Sequence, residues 1–374
     1  MAANVFEECG RRGWPRGDPL VADLVLMMEL TMSWSNRRSL GAAASFALAL
    51  AAVSPAVADD VVNIYSSRHY DNDEQLYAGF EKATGIKVNR IEDSADVLIE
   101  RMKSEGQNSP ADVFIATDAG RLWRAEEAGL LQPSDSEYVV SRIPDHFRHP
   151  DGEWTGYSKR ARIIFYDKAD VTEPPQTYQE LADPKYKGMI CTRSSSNIYM
   201  LSLLASMIEN DGQEAAEAWA QGVWDNRARD PQGGDTDQLR GIVSGECKIA
   251  LANHYYYVRG VAGDVSGLTG ETDKIGWVFP NQETTGTHVN ISGAGMAVHA
   301  PNPENATKFL EYLASPEAQE YFAAGNFEFP VVDDVENAGP VADLGSFKED
   351  TMNLSKLGEN QAAAQETYDR VGYK

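Results

Sequence analysis

Residues 61–66, Val61-Val62-Asn63-Ile64-Tyr65-Ser66, form an apolar run of strand length, and a helical pattern over 72–84 follows directly. The same exchange of periods repeats along the next stretch: strand 86–91, helix 95–104, strand 111–116, helix 118–128. Such β-α-β-α alternation predicts a mostly parallel sheet covered by helices on both faces. After a loop-rich stretch the alternation resumes with strands 161–166 and 188–192, helices 198–208, 214–226 and 236–243, and strand 247–253. Farther on, 287–292 is strand-like, 303–314 and 316–323 are helices with Pro near their starts, and 361–368 is a terminal helix. Two α/β domains of similar size are implied, with no internal repeat and no low-complexity tract.

The composition agrees. The chain has 374 residues, of which 42% are hydrophobic and 9% aromatic, enough to build cores. Lys and Arg number 33 against 57 Asp and Glu, a formal net charge of −24. A phosphate backbone would be repelled, so nucleic acid is excluded as a partner. The charge favours solubility and gives weak support to a cationic ligand.

Residues 36–58 predict an export signal. Arg37-Arg38 supplies a basic start, Leu40 to Val53 an apolar run too short to span a bilayer, and Pro55-Ala56-Val57-Ala58 a small-x-small cleavage site ahead of Asp59. Met32 stands at the spacing of a signal-peptide start, so residues 1–31 read as a start-site artefact or a disposable extension. Ser35-Asn36-Arg37-Arg38-Ser39-Leu40 matches a twin-arginine signal poorly, which leaves the Sec route as the expectation. The mature chain is expected to be periplasmic, soluble and without a membrane span. Cleavage removes Cys9 and leaves Cys191 and Cys247, each at the start of a strand-like run. If those strands are neighbours, a disulfide between them is expected in an oxidising compartment.

In open α/β sheets the ligand sits beyond the carboxyl ends of the strands. Those positions are rich in tyrosine here: His69-Tyr70 after the first strand, Tyr199 after the Cys191 strand, and Tyr255-Tyr256-Tyr257 after the Cys247 strand. Tyr199 and Tyr255 each follow their cysteine at the same interval, so neighbouring strands would deliver both to one end of the sheet. An imidazole and several phenols suit a hard, highly charged cation, because a metal such as Fe³⁺ can displace the phenol proton. Softer metals favour Cys and Met, and Ca²⁺ or Mg²⁺ favour carboxylates. The same tyrosines also fit plain packing at a cleft rim, and the residues alone leave both open.

Several motifs together resemble the ferric-iron-binding periplasmic proteins of ABC importers. They are Val62-Asn63-Ile64-Tyr65-Ser66-Ser67-Arg68-His69-Tyr70, Ala111-Asp112-Val113-Phe114, Arg193-Ser194-Ser195-Ser196-Asn197-Ile198-Tyr199, Asn253-His254-Tyr255-Tyr256 and His288-Val289-Asn290-Ile291-Ser292-Gly293-Ala294-Gly295. Ser315-Pro316-Glu317-Ala318-Gln319 and Asn326-Phe327-Glu328-Phe329-Pro330-Val331 add to the match, which covers nearly all of the mature chain. The likeness is to the cyanobacterial, tyrosine-rich branch. It implies a type II binding-protein fold, two transferrin-like lobes joined by a hinge around a central cleft. The lobes would be residues 59–158 plus 286–335, and 159–285 plus 336–374, with residues 1–58 as extension and signal.

The resemblance further implies His69, Tyr70, Tyr199, Tyr255 and Tyr256 as ferric ligands, delivery to an ABC permease, and a monomer. Other branches place a carboxylate after the Asp-Val-Phe strand. Thr117 stands there in this chain, which argues against an obligatory accompanying anion. Four phenolates on Fe³⁺ leave the site near −1 and call for nearby cations, for which Arg160, Arg162 and Arg259 are the candidates. Tyr257 is assigned to packing, and His254 to a supporting position or to solvent. No enzyme is expected, since Gly-x-Ser-x-Gly, His-Glu-x-x-His, Cys-x-x-Cys and a phosphate loop are all missing. The rival reading is the same fold binding an organic cation, a polyamine or thiamine, in an aromatic cage.

Overall fold

The computed structural model describes residues 60–374 except 69, 71, 135 and 264. The expected export signal, Cys9 and His69 lie outside the described residues. Among the described residues no helix is long and apolar enough to cross a membrane.

Among the described residues nine strands are ordered β1 (Val61–Ser66), β2 (Lys87–Glu92), β3 (Val113–Thr117), β4 (Leu131–Gln132), β5 (Thr155–Asp167), β6 (Ile190–Cys191), β7 (Ile249–Asn253), β8 (Ile275–Val278) and β9 (Val289–Ala297). The helices that cover them are α1 (Asp73–Thr84), α2 (Ala95–Glu105), α3 (Ala119–Glu127), α4 (Glu137–Arg142), α5 (Ile198–Asp211), α6 (Gln213–Asp225), α7 (Asp235–Ser244) and α8 (His254–Ala262). Four more follow β9: α9 (Pro303–Leu313), α10 (Pro316–Gly325), α11 (Ser355–Glu359) and α12 (Gln361–Val371).

The strands run in the order β2-β1-β3-β9-β5-β7-β6, with β4 on β9 and β8 on β5. The expectation of a mostly parallel sheet is wrong. Only β1–β2, β1–β3 and β6–β7 are parallel, and the other five pairings are antiparallel. The cause is the pair β5 and β9, which run against their neighbours. β5 is also twice as long as the apolar run 161–166 suggested. Its first half, Thr155 to Ala161, pairs with β9, and its second half, from Arg162, pairs with β7 and β8. The polar residues Ser158, Lys159 and Arg160 hid that first half from a hydrophobicity reading, although Ser158 and Arg160 are buried.

Alternating strand residues and the inner helix faces fill the core. Val62, Ile64, Phe114, Ile163, Phe165 and Leu251 are fully buried, each contributing about 1.5–3 kcal/mol of transfer free energy. The cysteines form the expected disulfide, with a Cα–Cα distance of 5.8 Å. Their strands are neighbours, but Cys191 faces Ala250 in the ladder, and Cys247 lies ahead of β7 rather than at its start.

Candidate functional site

Tyr70, Tyr199, Tyr255 and Tyr256 each reach the site by a strand-to-helix turn. Asn197 caps α5 by accepting from the Tyr199 N–H at 3.1 Å, which fixes Tyr199 in the first turn. β7 passes into α8 with no loop between. The Asn253 N–H donates to buried Asp235 at 2.8 Å, so Tyr255 and Tyr256 occupy the first turn of α8. Tyr70 follows β1, just before α1.

A cavity of about 600 Å³ lies among these turns, lined by Tyr70, Thr117, Arg121, Arg193, Tyr199, Tyr256, Arg259 and Phe327. Tyr255 is fully buried beside it, with its hydroxyl 3.5 Å from that of Tyr199 and its ring 4.3 Å from that of Tyr256. One guanidinium, Arg259, stands 4.9 Å from the ring centre of Tyr70, 5.2 Å from Tyr255 and 6.0 Å from Tyr256. Four of the five expected ligand residues are thus brought to one place, and the fifth, His69, is not described.

All three expected arginines face this place. Arg160 and Arg162 are buried on one side of β5, with their guanidinium carbons 5.7 Å from Tyr255 and 5.9 Å from Tyr199. Arg160 donates to Glu328 at 3.1 Å and to Ser292; Arg162 donates to Asp235 at 3.2 Å and to Asn253 at 3.1 Å. Besides Arg121 in the cavity wall, two further arginines were not foreseen. Arg193 lies 5.3 Å from the Tyr199 ring and Arg68 5.0 Å from Tyr70. Arg68 is held by Asp73 through two bonds, at 3.0 and 3.1 Å, and by Glu328 at 3.1 Å. Glu328, also unforeseen, joins Arg68 to Arg160. The signal for it was a lone carboxylate in the apolar run 327–332, but its partners are far away in sequence.

Burial pushes the phenols of Tyr70, Tyr255 and Tyr256 above the ordinary range, and the neighbouring phenols add to the shift. Arg68 and Arg160 stay charged, because the carboxylates beside them outweigh their desolvation. Those two guanidiniums in turn hold Glu328 at about 2 despite its burial. Tyr70, Tyr255 and Tyr256 therefore hold their protons next to fixed positive charge, an arrangement suited to taking up a cation in exchange for phenol protons. Among the described residues no group of three His, Cys, Asp or Glu could hold a metal.

Tyr257 packs between Phe165 and Trp277, both at 5.4 Å, in keeping with its assignment. Of the two places expected for His254, a supporting position or solvent, the structure excludes solvent. It is fully buried, and both ring nitrogens are engaged within the protein.

Residues 108–344 match the family model described as bacterial extracellular solute-binding protein. Iron uptake protein A1 of Synechocystis sp. is 50% identical over 314 residues, covering 84% of this chain and 87% of the relative. The major ferric iron-binding protein of Neisseria meningitidis serogroup B is 28% identical over 80% of this chain and 90% of its own. The structure of the Trichodesmium protein IdiA (FutA) in complex with iron and citrate ligands superposes with a TM-score of 0.81. It is 52% identical and covers 84% of this chain and all of that one.

Proposed function

The chain belongs to the bacterial extracellular solute-binding protein family, and on that premise we propose that it captures ferric iron outside the cytoplasm and hands it to an ABC permease. It is a binding protein and not an enzyme. His69, Tyr70, Tyr199, Tyr255 and Tyr256 serve as ligands. The observation that carries this reading is the convergence of four phenols, three lining one cavity and Tyr255 buried beside it, with guanidinium groups against their rings. A ferric ion bound by four phenolates has a net charge of −1, and the arginines complement it.

The same arginines weigh against an aromatic cage for an organic cation. Tyr70 has Arg68 and Arg259 within 5.0 Å of its ring centre, and Tyr255 has Arg160 and Arg259 within 5.7 Å. Tyr199 has Arg162 and Arg193 within 5.9 Å. A polyamine or thiamine would meet these guanidiniums in place of open aromatic faces.

Residues 36–58 direct export and are cleaved after Ala58 in this reading, and the mature protein acts in the periplasm as a monomer. Its lobes are residues 59–158 plus 286–335, and 159–285 plus 336–374. β5 and β9 cross between them and act as the hinge. Closure brings Tyr70 from one lobe against Tyr199, Tyr255 and Tyr256 from the other.

The test is a visible spectrum and metal analysis of the mature protein loaded in parallel from ferric citrate and from ferric nitrilotriacetate. A ferric-phenolate band with one iron per chain is expected from both chelators, as an anion-independent site requires. A colourless protein, or scattering profiles that do not change on loading, would overturn the reading.

A further inference from the structure

His254 sits immediately before the tyrosine doublet, at the point where β5 changes partners. Ala161 is the last β5 residue paired with β9, and Arg162 is the first paired with β7, opposite Asn253. The Ala161 N–H donates to His254 Nδ1 at 3.1 Å. On the other side of the ring, Nε2–H donates to the Phe327 carbonyl at 2.8 Å. Both nitrogens are used, so the imidazole is a fixed neutral tautomer and not a metal ligand.

The Phe327 end of this bridge is itself constrained. Phe327 has φ +60°, a left-handed conformation that costs a bulky residue about 1–2 kcal/mol. That backbone turn aims its carbonyl at the imidazole. Two residues on, Phe329 stacks on the His254 ring at 4.2 Å and exchanges backbone hydrogen bonds with Lys159, both at 2.8 Å. His254 also meets the Tyr255 ring edge-on at 5.9 Å. Three segments meet at one side chain: the strand junction, the 327–329 segment and the first turn of α8.

We infer that His254 is a positioning residue, a pin that ties the β5 junction and the Phe327 carbonyl to the Tyr255-Tyr256 doublet and so fixes where those phenol oxygens stand. The inference rests on the doublet binding ferric iron. If β5 bends at the junction during closure, the doublet moves with it, because the imidazole leaves no slack between them.

The experiment compares the parent mature chain with H254F and H254Q. H254F keeps the ring stacked on Phe329 but has neither donor nor acceptor, whereas H254Q restores one of each. Ferric affinity of H254F should fall about 10–100-fold, as for other outer partners of metal ligands, and its visible band should move. H254Q should recover most of both. A folded H254F with the parent's band and affinity overturns the inference, as does an H254Q no better than H254F. Should H254F not fold, nitrogen-15 spectra of histidine-labelled parent chain decide, taken with and without gallium(III), a diamagnetic ion of ferric charge. A proton on His254 Nε2 and ring shifts that move on loading support the pin; a proton on Nδ1, or shifts indifferent to gallium, overturn it. A parent chain with no ferric band defeats the functional reading itself, which keeps the two failures apart.

Discussion

Replacing Glu328 by Gln removes one buried negative charge with almost no change of shape. Arg68 would keep its paired bonds to Asp73, but Arg160 would retain only Ser292 and the amide oxygen of the new side chain. Leaving a buried charge without its partner costs about 3–5 kcal/mol, and the retained amide places this case near the lower end. At about 2 °C per kcal/mol for a domain of this size, the metal-free protein should melt about 6 °C lower. The ferric protein should behave differently. Nε and Nη1 of Arg160 have no hydrogen-bond partner, and its guanidinium faces Tyr255. A ferric centre of charge −1 would take over part of the role of the lost carboxylate. The loaded variant should therefore lose less than half as much, and by linkage it should bind iron more tightly than the parent. Calorimetric melting of both proteins at neutral pH, with and without ferric citrate, reads all four midpoints. Equal losses in the two states, or a larger loss in the loaded one, would refute the charge argument.

Each ligand phenol must lose a proton, one that burial holds firmly at Tyr70, Tyr255 and Tyr256, so ferric affinity should fall steeply between about pH 8 and about pH 5. In a spectral titration Y256F should weaken binding by orders of magnitude and shift the band, while Y257F should change little; a parent-like Y256F would remove the doublet from the ligand set. Reducing the disulfide frees a loop with a sequence separation of 56, worth about 4 kcal/mol in the chain-entropy model. Denaturant melts of the C191A/C247A double variant should show a loss of that order, and an unchanged midpoint would count against it. His288 is held down to about 3 by burial, against 6.5 for a free imidazole, with Arg162 adding to the shift. The unfolded chain takes up this proton first, so the stability is complete above about pH 6.5 and is lost progressively as pH falls toward about 3. H288Q should flatten that acid limb, and an unaltered slope would assign it to other groups.

Local pattern made most of the elements legible. β1 was read to the residue, and α1, α2 and α6 to within a residue or so at either end, because their apolar spacing and caps lie inside one window of sequence. The tyrosines were legible for the same reason, since each follows a strand directly. What escaped notice depends on contacts between distant residues. Nothing in the sequence around Arg68 indicates Glu328, its partner 260 positions on. The first half of β5 carries polar side chains whose burial is set by β9 and the 327–329 segment. Spacing leaves His254 between a supporting position and solvent, because it does not show that Ala161 and Phe327 converge on the imidazole.

The place of β9 between β3 and β5 has a consequence for how the chain comes to be folded. A polypeptide emerging from its amino end delivers β1, β2 and β3 early and β5 soon after, yet the strand that joins them is more than a hundred residues behind. Until residue 297 is out, β3 and β5 each present a bare row of amide and carbonyl groups, the kind of edge on which foreign strands pair. Joining distant segments last is slow, since the intervening loop must be closed before any contact rewards it. The nascent chain thus stays open through most of its emergence. That delay leaves the half-finished sheet, with its unpaired edges, as the stage at which foreign strands can most easily add to the chain.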